Sequence, residues 1–205
     1  MANTLSRRCA VVLLALASLP ACLSGLGPGD PQPIRYFSAA APGGSIPARM
    51  QNAPVLRLRR VTSGSHLRER MVWRVSDVEY GFYENSRWTE MPVAWLEQAL
   101  ARELFEVRGL RRTELSSAPT LDVHLAAFEE VLYPAHQARV AVVVRLVGAS
   151  GENLLERTLE RTEPVDGEDL ARVAEATARA LGTVVRDVAA LVVEPAASAR
   201  SGEER

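Results

Sequence analysis

The apolar positions of this chain follow two periods. Short stretches of period two read as strands, and two stretches near period 3.6 read as amphipathic helices. Ile34 to Ser38 and Val55 to Val61 are the first strand candidates. The second carries Val55, Arg57, Arg59 and Val61 on one side and Leu56, Leu58 and Arg60 on the other. Met71 to Val75 is a third, which Val78 to Tyr83 continues or pairs with through a turn. Pro92 then opens a helix, where its missing N–H costs nothing, and Val93, Leu96, Leu100 and Leu104 follow at helical spacing.

Beyond this helix Leu121 to Val131 alternates, with Leu121, Val123, Leu125 and Ala127 facing one way and Asp122, His124 and Ala126 the other. Ala138 to Val147 is a longer apolar strand. The turn residues Gly148 to Asn153 and the return Leu154 to Thr162 make the two a hairpin. From Gly167 to about Val193 a second helix carries Leu170, Val173, Ala174, Thr177, Leu181, Val184, Val188 and Leu191 on one stripe. Asp166 or Gly167 caps it, and Glu168 and Asp169 complement its positive end. This order predicts an α+β fold, a largely antiparallel sheet of about six strands with two main helices packed on one face.

Both ends of the chain differ from this patterned interior. Arg7 and Arg8 precede an apolar run from Cys9 to Leu19 that Pro20 breaks. A spanning helix needs about 20 apolar residues, so the run reads as the core of an export signal. Leu19-Pro20-Ala21-Cys22 follows and resembles the bacterial lipobox, an aliphatic residue three before a cysteine and a small one just before it. That resemblance implies cleavage after a signal peptide of residues 1–21, with diacylglycerol on the Cys22 thiol and an acyl chain on its amine. Pro20 departs from the usual residue at its position. Since Cys9 leaves with the signal, the mature chain keeps one cysteine and no internal disulfide, and acylation spares it a stray thiol in an oxidising compartment. Leu23, rather than Asp, follows the cysteine, which favours the outer membrane. Residues 22–33 are Gly- and Pro-rich and read as a flexible tether, 34–194 as one α+β domain, and 195–205 as a disordered tail.

Charge narrows the function. Without Arg7 and Arg8 the 24 basic residues become 22 against 25 acidic ones, a net −3 with neutral histidines, so no nucleic-acid partner is expected. Every basic residue is arginine. Chemistries that need a lysine therefore fall together: Walker A phosphate binding, a pyridoxal Schiff base and a Ser-x-x-Lys nucleophile.

The remaining candidates for chemistry are weak. His66, His124 and His136 match no zinc spacing, and no cysteine joins them, so no metal is expected. Ser63-Gly64-Ser65-His66 lacks the Gly-x-Ser-x-Gly elbow of a hydrolase. Glu129 and Glu130 lie at a strand end with no second carboxylate to complete a glycosidase pair. No catalytic residue is assigned, and the chain reads as a non-enzyme. The apolar residues on both faces of Val140 to Val147 suit a covered sheet better than a lipid groove.

An early aromatic strand (Ile34-Arg35-Tyr36-Phe37) is followed by Arg70-Met71-Val72-Trp73, Tyr83, and Arg87-Trp88-Thr89-Glu90-Met91-Pro92 entering a helix. With the hairpin and long last helix, this run resembles the ABC-type transport auxiliary lipoproteins, which include the lipoprotein of the paraquat-inducible operon. The resemblance implies an accessory outer-membrane lipoprotein on the periplasmic face, a non-catalytic docking component of an ABC or mammalian-cell-entry lipid transport system. Its implied partners are a mammalian-cell-entry domain protein or ABC transporter subunits, and a homo-oligomer is compatible with it. No cofactor is expected beyond the acyl groups on Cys22. The alternative is a periplasm-facing lipoprotein that itself binds and relays a lipid or aids assembly of another envelope complex. Trp73, Arg87, Trp88 and Glu90 are the candidate partner-binding residues, because aromatics and arginine dominate interface hot spots. Arg87 and Glu90 are also a candidate surface ion pair.

Overall fold

The computed structural model describes residues 32–39 and 53–201, with side chains to Ala196. Cys22, the signal peptide, the lipobox and the tether up to residue 31 lie outside the described residues, as do 202–205. Chain contacts separate Met1–Pro33 from a folded unit of Ile34–Arg205.

Among the described residues, nine strands form one mixed sheet: β1 (Arg35–Phe37), β2 (Val55–Leu58), β3 (Thr62–Ser63), β4 (Arg70–Arg74), β5 (Tyr80–Trp88), β6 (Arg111–Arg112), β7 (Thr120–Val131), β8 (Gln137–Val147) and β9 (Asn153–Pro164). Helix α1 (Pro92–Ala101) runs on into a π-helical turn (Arg102–Val107), and α2 (Leu170–Ser201) closes the fold. The α+β class and the two helices are as expected, but the sheet needs correction. It has more than six strands, and among the described residues five of its eight strand pairings are parallel. Only β4–β5, β7–β8 and β8–β9 are antiparallel.

Three of the parallel pairings arise because β7 is long and the strand along one of its edges is interrupted. Arg57–Leu58, Thr62–Ser63 and Trp73–Arg74 pair in succession with Thr120–Leu121, His124–Leu125 and Glu130–Val131. One edge of β7 thus serves three short strands running in its own direction. Such two-residue ladders leave no periodicity to read, so β3 and β6 were illegible in the sequence. The other edge of β7 carries the hairpin of β8 and β9, whose turn is closed by Gly151 at φ 88°, a left-handed conformation suited to glycine.

A bulge between Leu125 and Ala127 changes which residues of β7 face the helices. Leu125 stands opposite Val142 and Phe128 opposite Val140, so these two share a face, while Ala127, opposite Ala141, lies on the other. The unbroken alternation from Leu121 to Ala127 expected from the sequence therefore holds only as far as Leu125. After the bulge, Phe128 and Glu130 point toward the helices and Glu129 away from them.

The core fills the helix-covered face. Trp95, Leu96 and Leu100 of α1 are buried, and the Trp88, Trp95 and Phe128 rings pack within 5.2–6.2 Å of one another. Val140, Val142, Val144 and Leu146 of β8 are fully buried with Leu181, Val184 and Val188 of α2 in the same cluster. Arg161 of β9 pairs with Asp187 of α2 at 2.7 Å, tying the sheet edge to the helix. The helix continues through Pro195 to Ser201 with Ala196 buried, past the end near Val193 read from the apolar stripe. One lost backbone hydrogen bond at Pro195 is offset by the packing of the turns around it. No helix among the described residues is long and apolar enough to cross a membrane.

Candidate functional site

The segment expected to form a partner-binding patch does not come together. Trp73 and Trp88 occupy opposite ends of the β4–β5 ladder: Trp73 is opposite Gly81, and Trp88 lies just past Arg87, the partner of Arg70, about 13 Å further along β4. Trp73 is half-buried and lies over Gly81, where any Cβ would meet its ring at 2.3 Å. Trp88 is only 3% exposed. It is a core residue, and the expectation that it presents a surface to a partner is corrected by its packing between Trp95 and Phe128.

Arg87 and Glu90 take different partners. Arg87 turns back on its own strand and donates through Nη1 to the carbonyls of Tyr83, Glu84 and Ser86 at 2.7–3.1 Å. Glu90 is exposed and accepts from Gln98 Nε2 at 3.4 Å. The guanidinium is spent on backbone carbonyls at an irregular stretch of strand, where ladder bonds are incomplete.

The structure builds its charged constellation around Glu129 and Glu130 instead. Because consecutive strand residues face opposite ways, the two carboxylates are separated by the sheet and cannot act on one substrate bond. Glu129, on the face away from the helices, has a side chain with no exposure. Its Oε1 accepts from Arg74 Nε at 2.6 Å and Arg139 Nη1 at 3.0 Å, and Arg139 also bridges to Glu160 at 2.9 Å. Its Oε2 is buried without a hydrogen bond among the described residues. The carboxylate raises the pKa of Arg74, chiefly through that hydrogen bond.

Glu130 faces the helices at the end of the same strand. Its Oε2 accepts from the Tyr83 hydroxyl, and its Oε1 lies 2.5 Å from His136 Nε2. Burial and then the hydrogen bond to Glu130 push the Tyr83 phenol well above its ordinary range. The sequence hinted at this cluster only through two glutamates in an apolar strand with a histidine six residues on. Tyr83, Arg74 and Arg139 could not be joined to it without the register.

The other two histidines are plain. His124 shares a hydrogen bond with Thr62 at 2.9 Å, and His66 packs on the Tyr80 ring at 5.1 Å. Among the described residues, no three His, Cys, Asp or Glu side chains converge as a metal site. Across the outer face of β7 and β8 runs an open cleft of about 410 Å³ lined by Arg59, Asp122, His124, Arg145 and Glu156. Arg59 pairs with Asp122 at 3.2 Å, so part of its charge is already compensated. This face can recognise a mixed-charge surface, and Arg59 and Arg60, just after β2, contribute to it.

A family model described as ABC-type transport auxiliary lipoprotein component matches residues 37–189. No curated protein matches the chain significantly. Among solved structures, protein XCC0632 from Xanthomonas campestris is similar with a TM-score of 0.71 at 19% identity, covering 82% of this chain and 99% of that one. Protein CT253 from Chlamydia trachomatis is similar at 0.52 with 8% identity, covering 71% and 99%. At these identities the structures establish a shared fold.

Proposed function

The chain belongs to the family of ABC-type transport auxiliary lipoprotein components, and on that premise we propose a specific role for it. It is a non-catalytic accessory subunit, held by acyl chains on Cys22 at the periplasmic face of the outer membrane. There it docks an inner-membrane ABC transporter, or its mammalian-cell-entry bridge, to that membrane. The observation that carries this reading is the filling of the one strand that could have lined a lipid groove. Val140, Val142, Val144 and Leu146 are fully buried in the cluster that includes α2. A filled core leaves the domain its surfaces for recognition, and the polar cleft around Arg59 and Asp122 is one such surface.

Intact-mass analysis of the chain extracted from membranes, together with its co-purifying proteins, tests the role. A diacyl or triacyl mass on Cys22 with a mammalian-cell-entry protein or ABC subunit in the eluate supports it. An unmodified chain overturns the anchor. An acylated chain that retains one lipid per molecule without either partner overturns docking in favour of lipid relay.

A further inference from the structure

Eight large apolar side chains stand exposed among the described residues, and they are unevenly placed. Val78, Tyr80, Leu132 and Tyr133 cluster at one end of the sheet, and Ile34 and Tyr36 are exposed at the entry to β1. Met91 and Leu115 lie toward the opposite end, after the last residue of β5 and before the first of β7. The first end is formed by neighbouring turns. Arg74 is in register with Val131, and the Leu132 N–H donates to the Arg74 carbonyl at 2.8 Å, so the turns at 75–79 and 132–136 project together. The Val165 N–H donates to the His136 carbonyl at 3.1 Å, which brings the segment leading into α2 to the same end. Val78 is 93% exposed and Tyr133 70%.

β1 runs parallel to β5, Arg35 opposite Ser86 and Phe37 opposite Trp88, so β1 is entered from the side on which β5 begins. Ser86 lies six residues from Tyr80, but Tyr80 and Arg87 pair with Arg74 and Arg70, so the two are no more than about 13 Å apart along the sheet. The eleven residues between Cys22 and Ile34 extend to at most about 36 Å, enough to pass that distance.

We propose that this end of the domain rests on the bilayer that holds the anchor, with Val78, Leu132 and Tyr133 in its interfacial zone. The inference rests on the reading of Cys22 as acylated for its direction of approach. Tyrosine suits the headgroup level because its ring is apolar and its hydroxyl wet, while valine and leucine enter the acyl boundary. Asp77 and Glu79 lie in the first of these turns, and Asp166 and Glu168 follow Val165 in the segment brought to the same end. Of the nearby cations, Arg74 is taken by Glu129, Arg35 by Asp169 and Arg172 by Glu175. The surface therefore fits a zwitterionic bilayer and is repelled by an anionic one.

The test uses the full chain on phosphatidylcholine vesicles that contain spin-labelled lipid. A fluorophore is attached through Val78→Cys, Tyr133→Cys or Leu115→Cys, all exposed positions that the fold tolerates. Quenching at 78 and 133 about threefold greater than at 115, and weakened by added phosphatidylglycerol, is the result expected of interfacial insertion. Equal quenching at all three sites, or more at 115, overturns the proposal. Intact mass of the same sample separates it from the anchor reading, because a free Cys22 adds the same labelled background to all three. Selective quenching of an unacylated chain supports docking and overturns the anchor. No selective quenching of an acylated chain overturns docking and leaves the anchor standing, which would fit a protein partner on these turns. An unacylated chain without selective quenching overturns both.

Discussion

Arg74 donates from Nε to Glu129 Oε1 at 2.6 Å across two parallel strands, and the carboxylate it meets is wholly buried on the outer face of the sheet. Arg139 shares the same oxygen from the antiparallel side at 3.0 Å. A buried charge loses far more when a partner is removed than the intact pair contributes. Arg74→Met should therefore destabilise the protein by about 3 kcal/mol in urea unfolding, and Glu129→Gln by less, because the amide still accepts a hydrogen bond. Equal and small losses for both would show that the outer face is more hydrated than its packing indicates.

Tyr83 and Glu130 give a pH dependence at the alkaline end. Burial, then the hydrogen bond to Glu130, keeps the phenol protonated in the folded state above its ordinary value near 10. The folded state then holds a proton that the unfolded state gives up, so this contribution is complete below about pH 10 and is lost as pH rises beyond it. Ultraviolet phenolate titration should show one tyrosine ionising only as the protein unfolds. Tyr83→Phe should remove that step and cost about 1–3 kcal/mol at neutral pH by leaving Glu130 Oε2 without its donor.

Trp88→Ala should cost about 3–5 kcal/mol, because the ring fills the space between Trp95 and Phe128. Trp88→Phe should cost less, since the indole Nε1 is buried without a hydrogen bond among the described residues and its loss leaves no orphaned partner there. Thermal unfolding with near-ultraviolet circular dichroism reads both. A Trp88→Ala protein of unchanged stability would return this residue to the surface.

Asp169 holds the start of α2. Its carboxylate accepts from the Ala171 N–H at 3.2 Å and pairs with Arg35 of β1 at 3.2 Å, and these bonds, the backbone one first, lower its pKa. A lowered folded pKa means stability that is present above the ordinary carboxyl value near 4 and lost as pH falls through the lowered one. Asp169→Ala should lower the thermal midpoint at neutral pH, and the difference from the native protein should vanish in acid. A difference that persists in acid would assign the effect to helix propensity alone.

The long elements were legible because their apolar periods are long. Twelve residues of β7 and the stripe of α2 from Val173 to Val188 bury the positions that the alternation names. The α+β class, the hairpin of β8 and β9, the proline that opens α1 and the family all follow from such local signals. Register does not, since pairing depends on residues far apart in the chain. Arg74 meets Glu129 only because the chain from Arg57 to Arg74 runs parallel along one edge of β7, and Arg139 because it stands opposite Glu129 in the antiparallel β8 on the other edge. The bulge at Leu125–Ala127 then sends Glu129 and Glu130 to faces that unbroken alternation would have exchanged. Local patterning thus determined the elements and the covered face. Tertiary pairing decided which charges are buried, which aromatic rings form the core and which turns share an end, because each depends on the register of strands brought together only in the folded state.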